Sequence, residues 1–373
     1  MLAQSRVAYY MLGENLISPE RVVDCDLRVT EASSRNRNFM ALSEHGASYL
    51  LKQGIDAHGV ETIAHESRVY RFLQDVPGSE KFRRFLPRFV KYDASQKILV
   101  LELLREAQDF HEYHTRNARF SVSLSALLGK ALSVLHHITA QALADSPVSA
   151  QKKRTPWALG MDRPQAGFIS EASYAGLQIF RIVQNTPGFV ALLAELRAGW
   201  RFDALTHNDI KWSNCLIHPG TGSRQRPELK IIDWEFAHPG DACWDTGAAF
   251  SAYLGSWVQS IPVSGAEPPD RFFDLARYPL ERVQPAIRSF WNAYVKERNF
   301  NASETEEHLV RAVKYSAARL IQTCYEQMQY SPTLTGNVVC MLQLSSNILQ
   351  RPGEAIVHLL GLPLNHSWGL RHA

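Results

Sequence analysis

Residues 205–217, LTHNDIKWSNCLI, put a His, two Asn, an Asp and a Lys where one continuous apolar strand would otherwise run. Such a break costs backbone order and adds nothing to a core face, so its polar side chains answer to something other than packing. The residues after the break narrow the choice of fold. NCLI and LKII are the sole strand signals in this half of the chain. The segment between them, HPGTGSRQRPE, carries the Gly, Pro and Ser of a turn, so the pair reads as a β-hairpin directly behind the polar break. The fold must therefore hang one hairpin and its entry loop on an otherwise helical body.

The first hundred residues are strand-rich. Helical spacing over 6–17 ends at Ser18-Pro19, and VVDCDLRVT then alternates as a half-buried strand should. ASSRNRN (32–38) is a polar turn, and FMALS and SYLLKQ are two further strands around an EHGA hairpin tip. ETIAHESRVYRFLQ (61–74) places Ile63, Val69, Tyr70 and Leu73 roughly on one helix face. ILVLELL (98–104) is a fully apolar strand, and REAQDF is a polar link where a domain boundary fits. Beyond it, LSALLGKALSVLHHITAQAL is a strong amphipathic helix and 145–165 reads as loop. SETEEHLVRAVKYSAARLIQTCYEQM opens with a Ser303–Glu306 capping box. This order predicts an α+β, bilobal architecture with a small antiparallel-sheet lobe over 1–104 and a large, mainly helical lobe over 105–373. It is the layout of the protein-kinase-like fold.

Composition removes other classes. With 45% hydrophobic and 21% charged residues over 373 positions, the chain is an ordinary globular one, long enough for two cores. No uninterrupted apolar run approaches the roughly 18 residues of a membrane span. The start, MLAQSRVAYYMLGENL, lacks the basic head and cleavage site of a signal peptide. Five scattered cysteines, never in CxxC spacing, argue for a reducing cytoplasm and against a disulfide frame or zinc site. The net charge of +3 is too small to imply nucleic-acid binding, so neither nucleic acid nor membrane is an expected partner. Residues 150–205 carry seven Lys or Arg against four acids, which reads first as a solvated loop face and second as an anion-attracting surface.

The polar break suits phosphoryl transfer, where most of the work is positioning and charge neutralisation. Asp209 is placed to accept the proton of an attacking hydroxyl. Asn214, five residues on, and Asp233, at the end of the second hairpin strand, are suited to ligate a Mg²⁺ between phosphates. Competing motifs are absent: there is no phosphate-loop GxxxxGK[ST], no dinucleotide GxGxxG, no HExxH and no GxSxG.

HNDIKWSN (207–214), the apolar-Asp-Trp-Glu segment IIDWE, and GDACWDTG (240–247) together resemble the catalytic core of the aminoglycoside phosphotransferase and choline kinase family. LGKALSVLH (128–136) is similar to the helix opening that family's large lobe, so the likeness spreads over most of 30–260. The resemblance implies ATP and Mg²⁺ as cofactors, Asp209 in the catalytic loop, Asp233 and Asn214 on the metal, and Asp245 bracing the loop. It also implies Lys52 as the strand lysine on the α- and β-phosphates, with Glu66 as its helix partner. The turn holding Ser34, Arg35, Asn36 and Asn38 would cover the phosphates in place of a Gly-rich loop, with Arg37 adding charge, and Glu102 and Leu104 would belong to the adenine-side hinge. Lys211 stands where protein Ser/Thr kinases keep a lysine on the γ-phosphate, a departure from many small-molecule kinases.

The acceptor stays open. One candidate is a small-molecule hydroxyl. The other is Ser or Thr of a ribosomal precursor peptide, as in class V lanthipeptide-type pathways, where a separate partner lyase or cyclase would act next. A catalytically silent nucleotide-binding module is the reading outside enzymes.

Overall fold

The computed structural model describes residues 1–32, 36–143, 154–219, 227–262 and 274–364. They divide into two compact units, one drawn from 1–110 and 213–237, the other from 111–143, 154–212 and 238–364. The expected division put the boundary after Leu104 and all of 105–373 in one lobe. The hairpin instead groups with the first unit, because its strands and the residues after them bond to that unit's strand and helix.

In the first unit, the strands β1 (Leu27–Glu31), β2 (Arg37–Ser43), β3 (Tyr49–Gln53), β4 (Phe89–Asp93) and β5 (Ile98–Glu102) form an antiparallel sheet in the order β1-β2-β3-β5-β4. Period-two alternation sends Phe39, Ala41, Tyr49, Leu51, Ile98 and Val100 to one face. Val7 and Met11 of the helix α1 (Val7–Gly13) cover them there. The N-terminal helix thus docks on the sheet. VVDC is no strand: Pro19–Val23 forms a short helix α2 with Pro at its start, and Cys25 takes a left-handed φ of 57° that turns the chain into β1.

The helix α3 (Ala57–Asp75) is capped by Asp56, whose carboxylate accepts from the Gly59 N–H at 2.7 Å, and buries Ile63, Val69, Tyr70 and Leu73. β6 (Gln108–Asp109), β8 (Cys215–His218) and β9 (Glu228–Ile231) form a small second sheet, which contains the hairpin read from the sequence. Beyond β9, Trp234 is fully buried against Phe82, ring centroids 5.8 Å apart, and His65 Nε2 lies 2.6 Å from the Ala237 carbonyl oxygen.

The second unit holds the helices α4 (Phe110–Asn117), α5 (Val122–Ala140), α6 (Ala166–Ser170), α7 (Tyr174–Asn185), α8 (Phe189–Ala198), α9 (Ala242–Gln259), α10 (Leu280–Arg298), α11 (Ala302–Gln327) and α12 (Gly336–Gln350). A short ribbon, β7 (Ala204–Thr206) with β10 (His238–Gly240), was not foreseen. Two glycines set the tightest crossings. A Cβ on Gly129 of α5 would sit 2.1 Å from the Phe290 carbonyl oxygen of α10. One on Gly247 of α9 would sit 2.5 Å from that of Ala312 on α11. α5 is long and apolar enough to cross a membrane by length and composition, but most of it is buried within the unit, with His136 fully enclosed. The capping box of α11 lies two residues earlier than the sequence suggested. Asn301 accepts from the Glu304 N–H and Glu304 accepts from the Asn301 N–H, both at 2.9 Å, which leaves Ser303 inside the helix.

Candidate active site

The first unit gathers three charged side chains expected from the sequence. Lys52 lies on the sheet face opposite Leu51, the face toward α3, because alternate strand residues point opposite ways. Its Nζ donates to Glu66 Oε1 and Oε2 at 3.0 and 2.9 Å and to Asp233 Oδ1 at 2.9 Å. Glu66 is fully buried and also accepts from the Trp234 N–H at 3.3 Å, which ties α3 to the segment behind β9. Burial works against charge on Lys52, yet Glu66 and then Asp233 outweigh it, so its pKa lies above the ordinary lysine value. On Glu66, burial pushes the carboxyl up; Lys52 pulls it down, while the nearby Asp233 adds to the rise.

Asp233 has φ 68° and ψ 62°, a left-handed conformation that costs a non-glycine residue energy and is found where structure holds a side chain in a set direction. Asn214 is buried, and its carbonyl oxygen accepts from the Ile232 N–H at 3.0 Å. The hairpin register pairs Cys215 with Ile231, so Asn214 and Asp233 stand at the same end of the hairpin. One carboxylate and one side-chain amide are hard oxygen donors, and they fit a small divalent cation that takes its remaining ligands from phosphates and water. Among the described residues no three His, Cys, Asp or Glu side chains form an all-protein metal cage.

Of the other expected nucleotide contacts, Ser34 and Arg35 lie outside the described residues. Asn38 pairs across the sheet with Lys52, so the two share a face. Asn36 is buried above the first turn of α3, where Gly59 makes room: a Cβ there would lie 2.4 Å from Asn36 Oδ1. Arg37 does not supply charge to that turn, because it pairs with Glu31 at 3.1 Å and donates to the Leu2 carbonyl oxygen at 3.0 Å. Glu102 exchanges bonds with Arg88, its N–H to the Arg88 carbonyl at 2.9 Å and its carboxylate from the Arg88 N–H at 3.0 Å. Leu104 lies just past β5, half-buried.

The second unit carries the loop around Asp209. Asp245, fully buried on α9, accepts from the N–H groups of His207 and Asn208 at 2.7 and 3.0 Å, the bracing position the sequence resemblance implied. His136 Nε2 stands 3.2 Å from the same carboxylate. Asn208 has a left-handed φ of 65°, and its amide donates to Thr206 Oγ1 at 2.8 Å. His207 Nδ1 accepts from the Asp209 N–H at 3.3 Å, which makes the imidazole part of the loop's internal bonding. Trp212 donates to Ser256 Oγ at 2.7 Å and packs on Tyr253, centroids 4.7 Å apart.

Both oxygens of Asp209 meet cations. Lys211 Nζ lies 2.6 Å from Oδ2, and Arg319 Nη2 donates to Oδ1 at 3.1 Å. Arg319 was missed in the sequence. It sits on α11, 2% exposed, and its other terminal nitrogen reaches Glu326 at 3.3 Å. The signal was present: an arginine inside the apolar run SAARLI, on a helix whose small residues mark close packing, is a charge that needs a partner.

A five-stranded antiparallel sheet with one helix, a lysine held between two carboxylates, and a helical body carrying a braced Asp-containing loop define a kinase-like phosphotransferase. The chain belongs to the phosphotransferase enzyme family, whose sequence profile matches residues 26–274, and it is a kinase acting on a hydroxyl acceptor. Solved structures are similar in fold. A choline kinase from Cryptosporidium parvum Iowa II shares 12% identity at a TM-score of 0.53, covering 94% of this chain and 96% of that one. Amicoumacin kinase, solved with AMP-PNP, Ca²⁺ and Ami, shares 15% at 0.52, covering 94% and 95%. Aminoglycoside 2'-phosphotransferase-IIIa, solved with GDP, shares 11% at 0.50, covering 94% and 100%. No curated protein sequence is similar enough to this chain to match it.

Proposed function

We propose that the protein transfers the γ-phosphoryl group of ATP, bound with Mg²⁺, to the hydroxyl of a small molecule or of a Ser or Thr side chain in a precursor peptide. The observation that carries the reading is the Lys52–Glu66–Asp233 cluster, built on the buried Glu66, beside Asn214. A cation kept charged by two carboxylates is suited to phosphate oxygens, and a carboxylate–amide pair at a hairpin end is suited to Mg²⁺. Amicoumacin kinase, with its nucleotide analogue and divalent ion, supports the same cofactors here.

In this reading Glu66 orients Lys52, and Lys52 binds the α- and β-phosphates. Asn214 and Asp233 hold the metal. Ser34, Arg35, Asn36 and Asn38 cover the phosphates, and Glu102 and Leu104 flank the adenine. Bound Mg·ATP supplies the phosphoryl group and neutralises charge that builds on the phosphates. Asp209 takes the proton of the acceptor hydroxyl. The acceptor oxygen forms its bond to the γ-phosphorus as the bond to the bridging oxygen breaks, and ADP leaves with the electron pair. Lys211, 41% exposed and on the outer oxygen of Asp209, moves to the transferring phosphoryl group and frees that oxygen for the hydroxyl.

The peptide reading, with its separate lyase, draws less support from the basic 150–205 stretch than the charge count offered. Arg197 is paired with Asp162 at 2.8 Å and Arg201 with Glu307. We infer a reducing cytoplasm from five free cysteines, three of them buried.

Incubation with Mg²⁺ and ATP, scored by ADP formation and by a phosphate mass gain on acceptors, tests the reaction. Asp209→Asn should lower turnover by about two to four decades while nucleotide binding persists. Nucleotide bound without transfer to any acceptor favours the silent-module reading instead.

A further inference from the structure

In the first unit, the outer face of α3 and the edge strand β4 carry a run of positive charge. Residues 67–91 hold seven Lys or Arg against two acids, Asp75 and Glu80. Arg68 and Arg71 are exposed and lie one turn apart on α3. Arg83 is exposed too, and its guanidinium donates to the Gln74 carbonyl oxygen, one turn further along the same helix. Among the described residues, the first unit's ion pairs engage Arg37, His45, Lys52, Lys91 and Lys230, and none of these three arginines.

Two further observations separate this run from an ordinary solvated face. The first is aromatic. The Arg71 guanidinium carbon stands 5.7 Å from the Phe89 ring centroid, and Tyr70 stacks on the same ring at 6.1 Å, so the cation is seated on β4. Burial raises the Tyr92 pKa, as does Asp93, while Arg68 and Arg71 pull it down, which brings both cations within electrostatic reach of that phenol. The second is the backbone. β4 ends the sheet order and pairs with β5 alone among the described strands, so a row of its N–H and C=O groups faces outward beside the arginines.

We propose that the α3–β4 face docks an extended acidic segment of another polypeptide, with its carboxylates on Arg68, Arg71 and Arg83 and its backbone at the edge of β4. The phosphotransferase reading is not needed for it. A strand added at an open edge pairs main chain with main chain, which neither nucleic acid nor a lipid headgroup can do. No large hydrophobic side chain of residues 56–97 is exposed to anchor the face in a lipid surface.

The test uses the full chain and a fluorescein-labelled Glu/Asp decapeptide, followed by fluorescence anisotropy at about 50 mM salt, where exposed charges are weakly screened. Arg68→Ser combined with Arg71→Ser should raise the Kd about tenfold, the worth of two exposed charge contacts. Arg6→Ser combined with Arg28→Ser removes the same charge on and beside β1, at the opposite edge of the sheet, and should leave the Kd within about twofold. Equal weakening by both pairs would reduce the effect to bulk charge and overturn the site, as would a decapeptide that does not bind. Tighter binding of single-stranded DNA or of phosphatidylserine vesicles, lost in the Arg68 and Arg71 variant, would overturn the polypeptide as occupant.

Discussion

Lys52 shows how much one residue decides here. Its ammonium is the shared partner of two carboxylates, one on α3 and one behind the hairpin, in a site that is largely closed to water. Lys52→Met should leave Glu66 and Asp233 facing each other. The expected cost is about 3–5 kcal/mol of stability by urea unfolding, because a buried charge loses its partner. A second change, Glu66→Gln, should return part of that loss; a double variant no more stable than Lys52→Met would count against the pair. Asp209, Asn214 and Asp233 were singled out from the polar break and its hairpin, and Lys52 and Glu66 from the family resemblance. Arg319 was not, since it meets Asp209 from 110 residues away on a helix whose face no local pattern reveals.

At the scale of elements, two features separate what local pattern can say from what packing imposes. The α11 cap is local, yet the Ser303–Glu306 box read from the sequence is not the one formed: hydrogen bonding selects Asn301 over Ser303. Asn301→Ala should therefore cost about 1 kcal/mol of stability and Ser303→Ala close to none, measured as a shift in denaturation midpoint. The reverse order would restore the later cap. Gly129 is different. In a helix it looks like a weak point, but it lets α5 approach the Phe290 carbonyl of α10. Gly129→Ala, which improves helix propensity, should nonetheless destabilise by about 1–3 kcal/mol, because backbone must move to admit the methyl. The ribbon β7–β10 and the helix α2 escaped the sequence because three-residue strands and five-residue helices carry too little periodicity to be read.

For the whole molecule, buried histidines contribute to the acid response. His114, packed against Phe120 and Trp212, has its pKa pushed down to about 4 by burial and by the nearby His111, and burial pushes His308 down as well. The unfolded chain takes a proton on His114 near pH 6.5, whereas the folded one refuses it until about pH 4. Stability is then full above about pH 6.5, falls as pH drops between these values, and loses no more from this group below the lower one. The contribution is about 3 kcal/mol at most. In His114→Phe, urea midpoints measured from pH 7 to 4 should decline less steeply than in the wild type. An unchanged slope would show that His114 titrates normally.

The sequence by itself determined the bilobal kinase-like class, the order of sheet, helix and hairpin, and most of the residues with chemistry to offer. These come from short-range periodicity, from motif spacing and, for Lys52 and Glu66, from the family resemblance, all of which a chain displays before it folds. Only tertiary structure decided that the hairpin groups with the first unit, that N-terminal helix α1 covers the sheet, and that Arg319 grips Asp209. Those outcomes depend on which distant surfaces bury one another, a choice made by packing and charge pairing across the chain and written in no local stretch of it.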